Sequence, residues 1–213
     1  MAKKCIVCGN AFVPKFSSFE KSCQNDDCQV SYSLSVLAKQ KTEKQKKIAR
    51  EWKEEKKVIK EKIMTLSDWQ KLLEKPINKI CCLIDFGSTC ISCNGKTTPQ
   101  AGHYHTVGSN KSIRFNLDNL HLQDYHCNCE KSGNIHQYDL GLIKRYGKEY
   151  WEYVKFDIVG KYPLLKIPKE EYQHKISIAN SIVKWLQLQN KNYSPIERLQ
   201  LRKKYNKEIG IYL

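Results

Sequence analysis

The apolar positions of this chain are spread very unevenly. Between Gln29 and Leu73 the sequence has no Gly or Pro, and its apolar residues are too sparse for a broad core-facing stripe. This pattern predicts one long helix that is largely exposed to solvent. No strict heptad persists along it, so a coiled coil is not predicted.

Shorter patterned stretches follow this segment. "INKICCLIDFG" has apolar runs that suit a buried core, and "SIRFNL" alternates in the manner of a short strand. "DNLHLQDYHCNC" opens with Asp118 and Asn119, which are good N-cap residues, so a helix start is expected there. "GNIHQYDLGLIKRYG" predicts a short amphipathic helix that ends at Gly147.

The last part of the chain predicts more helices. "KEYWEYVKFDIVGKYP" is rich in aromatic residues and is expected to be helical at first, and "KEEYQHKISIANSIVKWLQLQN" has amphipathic spacing. "SPIERLQLRKKYNKEIGIYL" predicts a final helix with Ser194 as N-cap and Pro195 at its first position. Together the patterns predict a mostly helical α+β protein.

The charge balance adds an expected partner. The 213 residues include 37 Lys or Arg and 22 Asp or Glu, which gives a net charge of +15. An excess of this size favours a polyanionic partner, and nucleic acid is the usual one. A basic protein that is merely soluble is the alternative.

Part of that charge lies on the predicted long helix. Residues 39–62 hold 11 Lys or Arg against 5 Glu. One basic face of the helix is a candidate for contact with a phosphate backbone, through Lys44, Lys47, Lys53 and Lys57. A solvated helix without a partner and a helical dimer interface are the alternatives, so a homodimer stays open.

The paired cysteines among the ten of this chain are best interpreted as metal ligands. The N-terminal stretch does not have the pattern of a secretion signal, and no apolar run is long enough for a membrane span. We therefore expect an intracellular, cytoplasmic protein, in which disulfides are rare. Two close pairs near the N-terminus predict a structural zinc site formed by Cys5, Cys8, Cys23 and Cys28. Four free thiols are the alternative.

A second zinc site is predicted further along. Cys90-x2-Cys93 forms another knuckle, and Cys127 is the expected third ligand. Three residues are candidates for the fourth position: Asp124, His126 and Cys129. We favour Asp124 because Asp124-x2-Cys127 keeps the x2 spacing. Cys81 and Cys82 lie in an apolar run and are expected to be core thiols.

Several motifs in this region agree with a known family in order and spacing. They are "CISC", "AGHY", "VGS", "IRFNLDNLHLQ", "CN", "SGN" and "LIKRYG", between Cys90 and Gly147, together with the N-terminal "KCIVCGNAFVPK". In these motifs the chain resembles the phage NinG (Rap) recombination nuclease family. That family is similar to the HNH, or ββα-metal, nucleases, and the Cys127-Asn128 motif resembles one in the junction resolvase endonuclease VII.

The resemblance implies a domain organisation and a function. It implies an N-terminal zinc-binding module at 1–30, a long basic helix or linker at 31–75, a zinc-stapled HNH-like ββα-metal core at 76–150, and C-terminal helices at 151–213. It also implies a DNA endonuclease selective for branched recombination intermediates, such as Holliday junctions and D-loops, in the cytoplasm of the bacterial host. The reaction would be metal-dependent hydrolysis of a phosphodiester.

The resemblance also implies roles for particular residues. His103 would be the general base, and Asn128 would bind a catalytic Mg²⁺ or Mn²⁺ beside two structural Zn²⁺. Asn119 would tie the ββ loop together, and His105 would share the metal or replace His103 as base. Arg114 is a candidate phosphate clamp.

Two departures from the family pattern accompany these roles. Asp124 stands where the family has the first cysteine of a C-x2-C-N motif, and Gly102 stands where many HNH-type sites have an acidic metal ligand. The second hypothesis, from a different class, is a non-catalytic zinc-finger DNA-binding protein that assists recombination. Only the enzyme would need His103 and Asn128.

Overall fold

The computed structural model describes residues 2–95, 98–165 and 167–212. The chain divides into two compact units, Met1–Ile63 and Met64–Leu213. Within the described residues no helix is both long and apolar enough to cross a bilayer. The predicted mostly helical α+β class is confirmed, with two small two-stranded sheets.

The first unit is a short hairpin followed by a long helix. Strands β1 (Lys3–Lys4) and β2 (Ala11–Phe12) pair antiparallel, and α1 covers Asp26–Ile63. Cys28 is the only buried residue of α1. The exposure of helix α1 follows from the sparse apolar pattern of its sequence, as predicted.

The prediction of one helix as far as Leu73 was wrong. Helix α1 ends at Ile63, and α2 begins at Leu66 and continues to Ile84. A capping box starts α2: the Thr65 hydroxyl accepts from Asp68 N, and the Asp68 carboxylate accepts from Thr65 N. This reciprocal pairing satisfies backbone N–H groups that a continuous helix would bond to the preceding turn. The boundary predicted at residue 75, between the long basic helix and the core, therefore falls inside α2.

The second unit contains the remaining elements. In chain order they are α2, β3 (Gln100–His103), β4 (Leu120–Gln123), α3 (Ile135–Tyr146), α4 (Lys148–Glu152), α5 (Ile158–Lys161), α6 (Tyr172–Gln189) and α7 (Pro195–Ile209). β3 and β4 pair antiparallel, with Gly102 opposite His121 and His103 opposite Leu120. A π-helical turn, His126–Glu130, follows β4. The hairpin and the helices after it are the elements that position the candidate site.

Two local predictions between the strands were wrong. "SIRFNL" forms a 3-10 turn at Lys111–Ile113 and a loop rather than a strand, and a second 3-10 turn covers Leu117–Asn119. The stretch after Asp118 forms β4, not a helix. The Asn116 side chain accepts from Asp118 N and so closes a local turn. Such side-chain turns compete with both helix and strand.

The predicted helix ends are confirmed for α3 and α7. α3 stops at Gly147, whose φ of +92° is strained for residues with a side chain. α7 starts with Ser194 and Pro195 in the expected places, and Glu197 completes a capping box with Ser194. The π-helical turn Tyr153–Asp157 joins α4 to α5. The aromatic-rich stretch is therefore helical at first, as its sequence predicts.

The main core of the second unit lies between α2, α6 and α7. It is built from aliphatic and aromatic side chains of those helices and of the loop before β4, including Leu73, Ile77, Ile80, Phe115, Leu117, Ile182, Leu186 and Tyr205. A smaller cluster joins α3 and α4 to Ile91. The contact is close at Gly141 of α3, where a Cβ would lie 1.7 Å from the Ile91 carbonyl oxygen. Only glycine fits there.

A fully buried ion pair connects α7 to the end of α2. Arg202 Nη2 donates to Asp85 Oδ2 at 2.8 Å, and neither side chain is exposed. Arg202 also donates to the carbonyl oxygens of Leu117 and Leu120, at 3.1 and 3.2 Å. The same Asp85 oxygen accepts from Leu122 N at 2.9 Å. The pair thus fixes α2, β4 and α7 to one another.

We predict that Arg202→Met lowers the free energy of unfolding by about 3–5 kcal/mol, because it leaves Asp85 charged and unpaired in the interior. The matched control is Lys203→Met on the exposed face of the same helix, with an expected change within about 0.5 kcal/mol. Urea denaturation followed by circular dichroism measures both. Equal losses in the two variants would contradict the prediction.

Candidate metal centres and hairpin site

The first cysteine cluster lies in the N-terminal unit. The sulfur atoms of Cys5, Cys8, Cys23 and Cys28 are all within 4.8 Å of one another, so the four residues can hold a metal ion. Backbone hydrogen bonds from Cys8 and Cys23 lower the pKa of the Cys5 thiol to about 6. Four thiolates in this arrangement suit tetrahedral zinc.

The second cluster lies beside the β3–β4 hairpin. Cys90, Cys93 and Cys127 bring three sulfur atoms within 4.8 Å of one another. Burial raises the pKa of Cys90, but hydrogen bonds from the backbone of Cys93, Asp124 and Ser92 outweigh it, and the net pKa is lowered. Burial raises the pKa of Cys127 to about 11. This group also can hold a metal ion, with three sulfur ligands.

None of the three candidates for a fourth ligand joins that group among the described residues. The Asp124 carboxylate accepts from Thr98 N at 3.0 Å and from His126 N at 3.0 Å, while Asp124 N donates to Cys90 Sγ at 3.3 Å. Hydrogen bonds from Thr98 and His126 lower the pKa of the Asp124 carboxyl. Its oxygens therefore cap the π-helical turn, and its role as zinc ligand stays a prediction.

The other two candidates have different neighbours. The His126 ring pairs with Glu130, and both side chains are exposed. Cys129 lies with its sulfur 3.6 Å from the Gln100 amide oxygen. The side-chain amide of Asn134 also contacts the cluster, with Nδ2 3.6 Å from Cys127 Sγ.

The loop between β3 and β4 is braced by Asn119. Its Oδ1 accepts from His105 N at 2.8 Å, and its Nδ2 donates to His105 O at 3.0 Å. Asn119 is fully buried, so both ends of its amide are used inside the protein. The bracing fixes the backbone just after His103, and the catalytic role of Asn119 stays a prediction.

His103 lies at the end of β3 with its ring mostly buried. Nε2 is 2.9 Å from the Arg114 carbonyl oxygen and 3.9 Å from Glu74 Oε1. A carbonyl only accepts, so Nε2 carries the hydrogen and the neutral ring has its lone pair on Nδ1. Burial lowers the pKa of His103, which favours this neutral form at pH 7.

Asn128 is held by a residue on the face of β3 that is opposite to the face carrying His103. Its Nδ2 donates to Gln100 Oε1 at 3.0 Å. Gln100 and His103 are three residues apart on a strand and so point to different faces. Among the described residues no hydrogen bond joins His103 to Asn128. The two predicted residues thus flank the same strand without touching.

A further polar residue on that face, Gln123, was missed by the sequence reasoning. Gln123 Nε2 donates to Ser92 Oγ and to Gly133 O, both at 2.7 Å. Its Oε1 is buried without a hydrogen-bond partner, and a Cβ on Gly102 would lie 1.9 Å from it. An amide oxygen therefore occupies the space that an acidic side chain at position 102 would enter. The absence of an acidic residue at position 102 was the sequence signal that could have pointed to another side chain in that space.

The remaining histidines of the region have structural partners. His105 Nε2 lies 2.8 Å from the Val154 carbonyl oxygen. His121 is fully buried, with Nδ1 3.0 Å from the Tyr138 hydroxyl, and burial lowers its pKa well below the usual range. The role of His105 as second base or metal ligand stays a prediction.

The predicted DNA-contacting residues fall into two settings. Arg114 donates to Gln70 Oε1 at 2.8 Å and to Glu74 Oε2 at 2.7 Å, so its guanidinium faces α2. The lysines predicted on α1 are all exposed: Lys44, Lys47, Lys53 and Lys57. The ammonium nitrogen Nζ of Lys47 lies 3.9 Å from Glu51 Oε1. The structure leaves the nucleic-acid roles of all five residues as predictions.

Comparison with known proteins agrees with this architecture. The sequence profile of the family described as "Bacteriophage Lambda NinG protein" matches residues 1–189. The chain belongs to the NinG family. Protein ninG of Escherichia phage 933W is 34% identical over 154 residues, which cover 69% of this chain and 77% of that protein. Protein ninG of Escherichia phage lambda is 40% identical over 85 residues, which cover 39% of this chain and 42% of that protein.

The match to this NinG family stops before α7. Residues 190–213, which include Arg202, lie beyond the profile. No solved structure matches the chain. A relationship to HNH nucleases and to endonuclease VII stays a prediction from the sequence motifs.

We predict that zinc is held less tightly by the three-cysteine cluster than by the four-cysteine cluster. A competing chelator should then remove two zinc ions in two steps, and Asp124→Cys should strengthen the weaker site by on the order of a hundredfold, since a fourth thiolate joins it. Chelator titration with metal analysis measures this. Asp157→Cys, at an exposed position, is the control. One-step release, or equal affinities in the two variants, would contradict the prediction.

Proposed function

We propose that this NinG family protein is a metal-dependent DNA endonuclease that cuts branched recombination intermediates. The observation that carries the proposal is the Asn119-braced β3–β4 hairpin, which ends in a neutral, mostly buried His103 and is followed by Cys127-Asn128. A β-hairpin, a histidine at its first strand end and a metal-proximal asparagine are the parts that an HNH-type site needs.

His103 supplies the base in this proposal. The hydrogen bond from Nε2 to Arg114 O leaves the lone pair on Nδ1, where a water proton can be accepted. Glu74, 3.9 Å from Nε2, stabilises the imidazolium that forms when the proton arrives. Glu74 is itself held by Arg114 at 2.7 Å, so its position is fixed.

The amide oxygen of Gln123 beside Gly102 is a candidate ligand for a hard divalent cation. Gln123 Oε1 is buried and unpartnered, and the Asn128 and Gln100 amides lie on the same face of the hairpin. Oxygen ligands of this kind suit Mg²⁺ and Mn²⁺. When bound, the cation would relieve the charge that develops on the leaving phosphate oxygen. Neutral amides add no charge of their own, so the phosphate would balance the ion.

The exposed lysines of α1 are the proposed non-specific DNA contact. Cys28 is the only residue that the helix buries, so its basic face is open to solvent along nearly its whole length. Lysines in this setting bind phosphates as point charges and carry no sequence information. That property suits an enzyme that selects a DNA structure rather than a sequence.

We predict that His103→Ala abolishes cleavage of a four-way junction and a D-loop in Mg²⁺ or Mn²⁺, a loss of about 10²-fold or more, while DNA binding changes little. The control is His136→Ala, an exposed histidine on α3. Gel analysis of the cut products and fluorescence anisotropy of binding give the two readouts. Wild-type cleavage by His103→Ala would overturn the assignment of the base.

The same assay on the unmodified protein separates the two classes of function. Cutting that requires an added divalent ion supports the nuclease. Binding to branched DNA without cutting in any metal would favour a non-catalytic recombination accessory protein.

We predict that changing Lys44, Lys47, Lys53 and Lys57 to Gln flattens the salt dependence of DNA binding. The slope of log K against log salt should fall by about 0.9 for each lysine that neutralises a phosphate. The control removes the same charge from four exposed lysines of the second unit: Lys148, Lys169, Lys184 and Lys203. Equal slopes in both variants would place the DNA elsewhere.

A further inference from the structure

A large basic cavity lies on the second unit, apart from the hairpin face that carries Asn128. Its volume is about 770 Å³. Three segments line it: the loop from Gly87 to Asn94, the last turns of α3, and the start of α7. Cys93, one of the three residues of the second cysteine cluster, is among the lining residues.

The charge of this cavity is unbalanced. Its lining contains three cationic side chains, Lys144, Arg145 and Arg198, and no Asp or Glu. Across the described part of the chain, none of the three forms a salt bridge, whereas the buried Arg202 on the same helix does. Cations that are gathered together without acids repel one another unless an anion joins them.

Hydrogen-bond donors in the cavity are also left over. Arg145 Nη1, Arg198 Nε and Ser88 Oγ are buried without partners, and Arg198 as a whole is only 7% exposed. A buried donor without an acceptor costs about 1–3 kcal/mol. The three donors belong to residues that line one cavity, and a ligand with several acceptor oxygens would offer them partners.

The two arginines are held in place before any ligand arrives. Arg145 Nη2 donates to Thr89 O at 3.1 Å and to Thr89 Oγ1 at 3.3 Å. Arg198 Nη2 lies 3.5 Å from Asn192 Oδ1. Asn192 in turn fills the space over Gly87, where a Cβ would lie 2.2 Å from its amide. Each guanidinium is thus held through Nη2 and keeps another N–H donor unpaired.

We infer that this cavity binds a backbone phosphate of the DNA strand on which the enzyme acts. Guanidinium groups match phosphate oxygens in geometry, and Ser88 adds a neutral donor. The volume exceeds that of a single oxyanion and leaves room for the attached sugar against Leu140 and Pro195. The inference rests on the proposed function for its ligand, and it assigns α7, which lies beyond the family profile, a part in DNA binding.

Salt-dependent binding to a fluorescent four-way junction tests the inference. All measurements use full-length protein that carries His103→Ala, so that the DNA stays uncut. Two variants are made in this background: the double variant Arg145→Met plus Arg198→Met, and the single variant Lys144→Ala. We expect the arginine pair to weaken binding about tenfold or more and to lower the salt slope by about one. Lys144 is exposed, so its variant keeps the test valid if the arginine pair impairs folding, which circular dichroism reports.

The matched control is Lys184→Ala, an exposed lysine of α6 away from the cavity, with an unchanged slope expected. Unchanged slopes in all variants, with DNA bound normally by the parent, would overturn the cavity assignment and leave the nuclease proposal standing. Calorimetry with inorganic phosphate and with thymidine monophosphate tests whether the cavity binds a free phosphate compound instead of DNA. Binding of either by a parent protein that does not bind DNA would overturn both DNA assignments.

Discussion

The buried pair between Arg202 and Asp85 is the constraint on which the second unit depends. A charge without water is tolerated only when a counter-charge and hydrogen-bond partners surround it. Arg202 finds these partners on α2 and on the carbonyl groups around β4, and Asp85 finds them on α7 and on Leu122 N. The pair thus joins α2, β4 and α7 through directional hydrogen bonds, which apolar packing does not supply.

That arrangement also determines the chemistry of the hairpin. β4 is fixed by Asp85 from one side, and β3 follows it through the register that puts Gly102 opposite His121. His103 then meets Arg114 O and Glu74, and its environment keeps the ring neutral. The other face holds the amides of Gln100 and Gln123. In the proposed nuclease the site would combine a base with a weakly charged cation cradle, and its affinity for metal would depend on the substrate phosphate.

Local signals in the sequence predicted the elements whose causes are local. The first cysteine cluster, the exposure of α1 and the ends of α3 and α7 follow from spacing and capping residues nearby in the chain. The break before α2 was missed, although Thr65 and Asp68 form a recognisable capping box. The loop before β4 was missed for another reason: Asn116 and Asn206 bond to each other across the fold, at 2.9 Å. Contacts between distant residues, such as Gln123 beside Gly102, cannot be obtained from a pattern in one segment.

The missing side chain at residue 141 has a consequence for the width of the cationic cavity. α3 can approach the knuckle only as closely as the Ile91 carbonyl allows, and Ile91 is tied to β4 by the hydrogen bond from its N to Leu122 O at 2.9 Å. Any side chain at residue 141 would push α3 away from the knuckle and move Arg145 of α3 relative to Arg198 of α7. A position that carries neither charge nor ligand thereby sets the spacing of the charged groups around it.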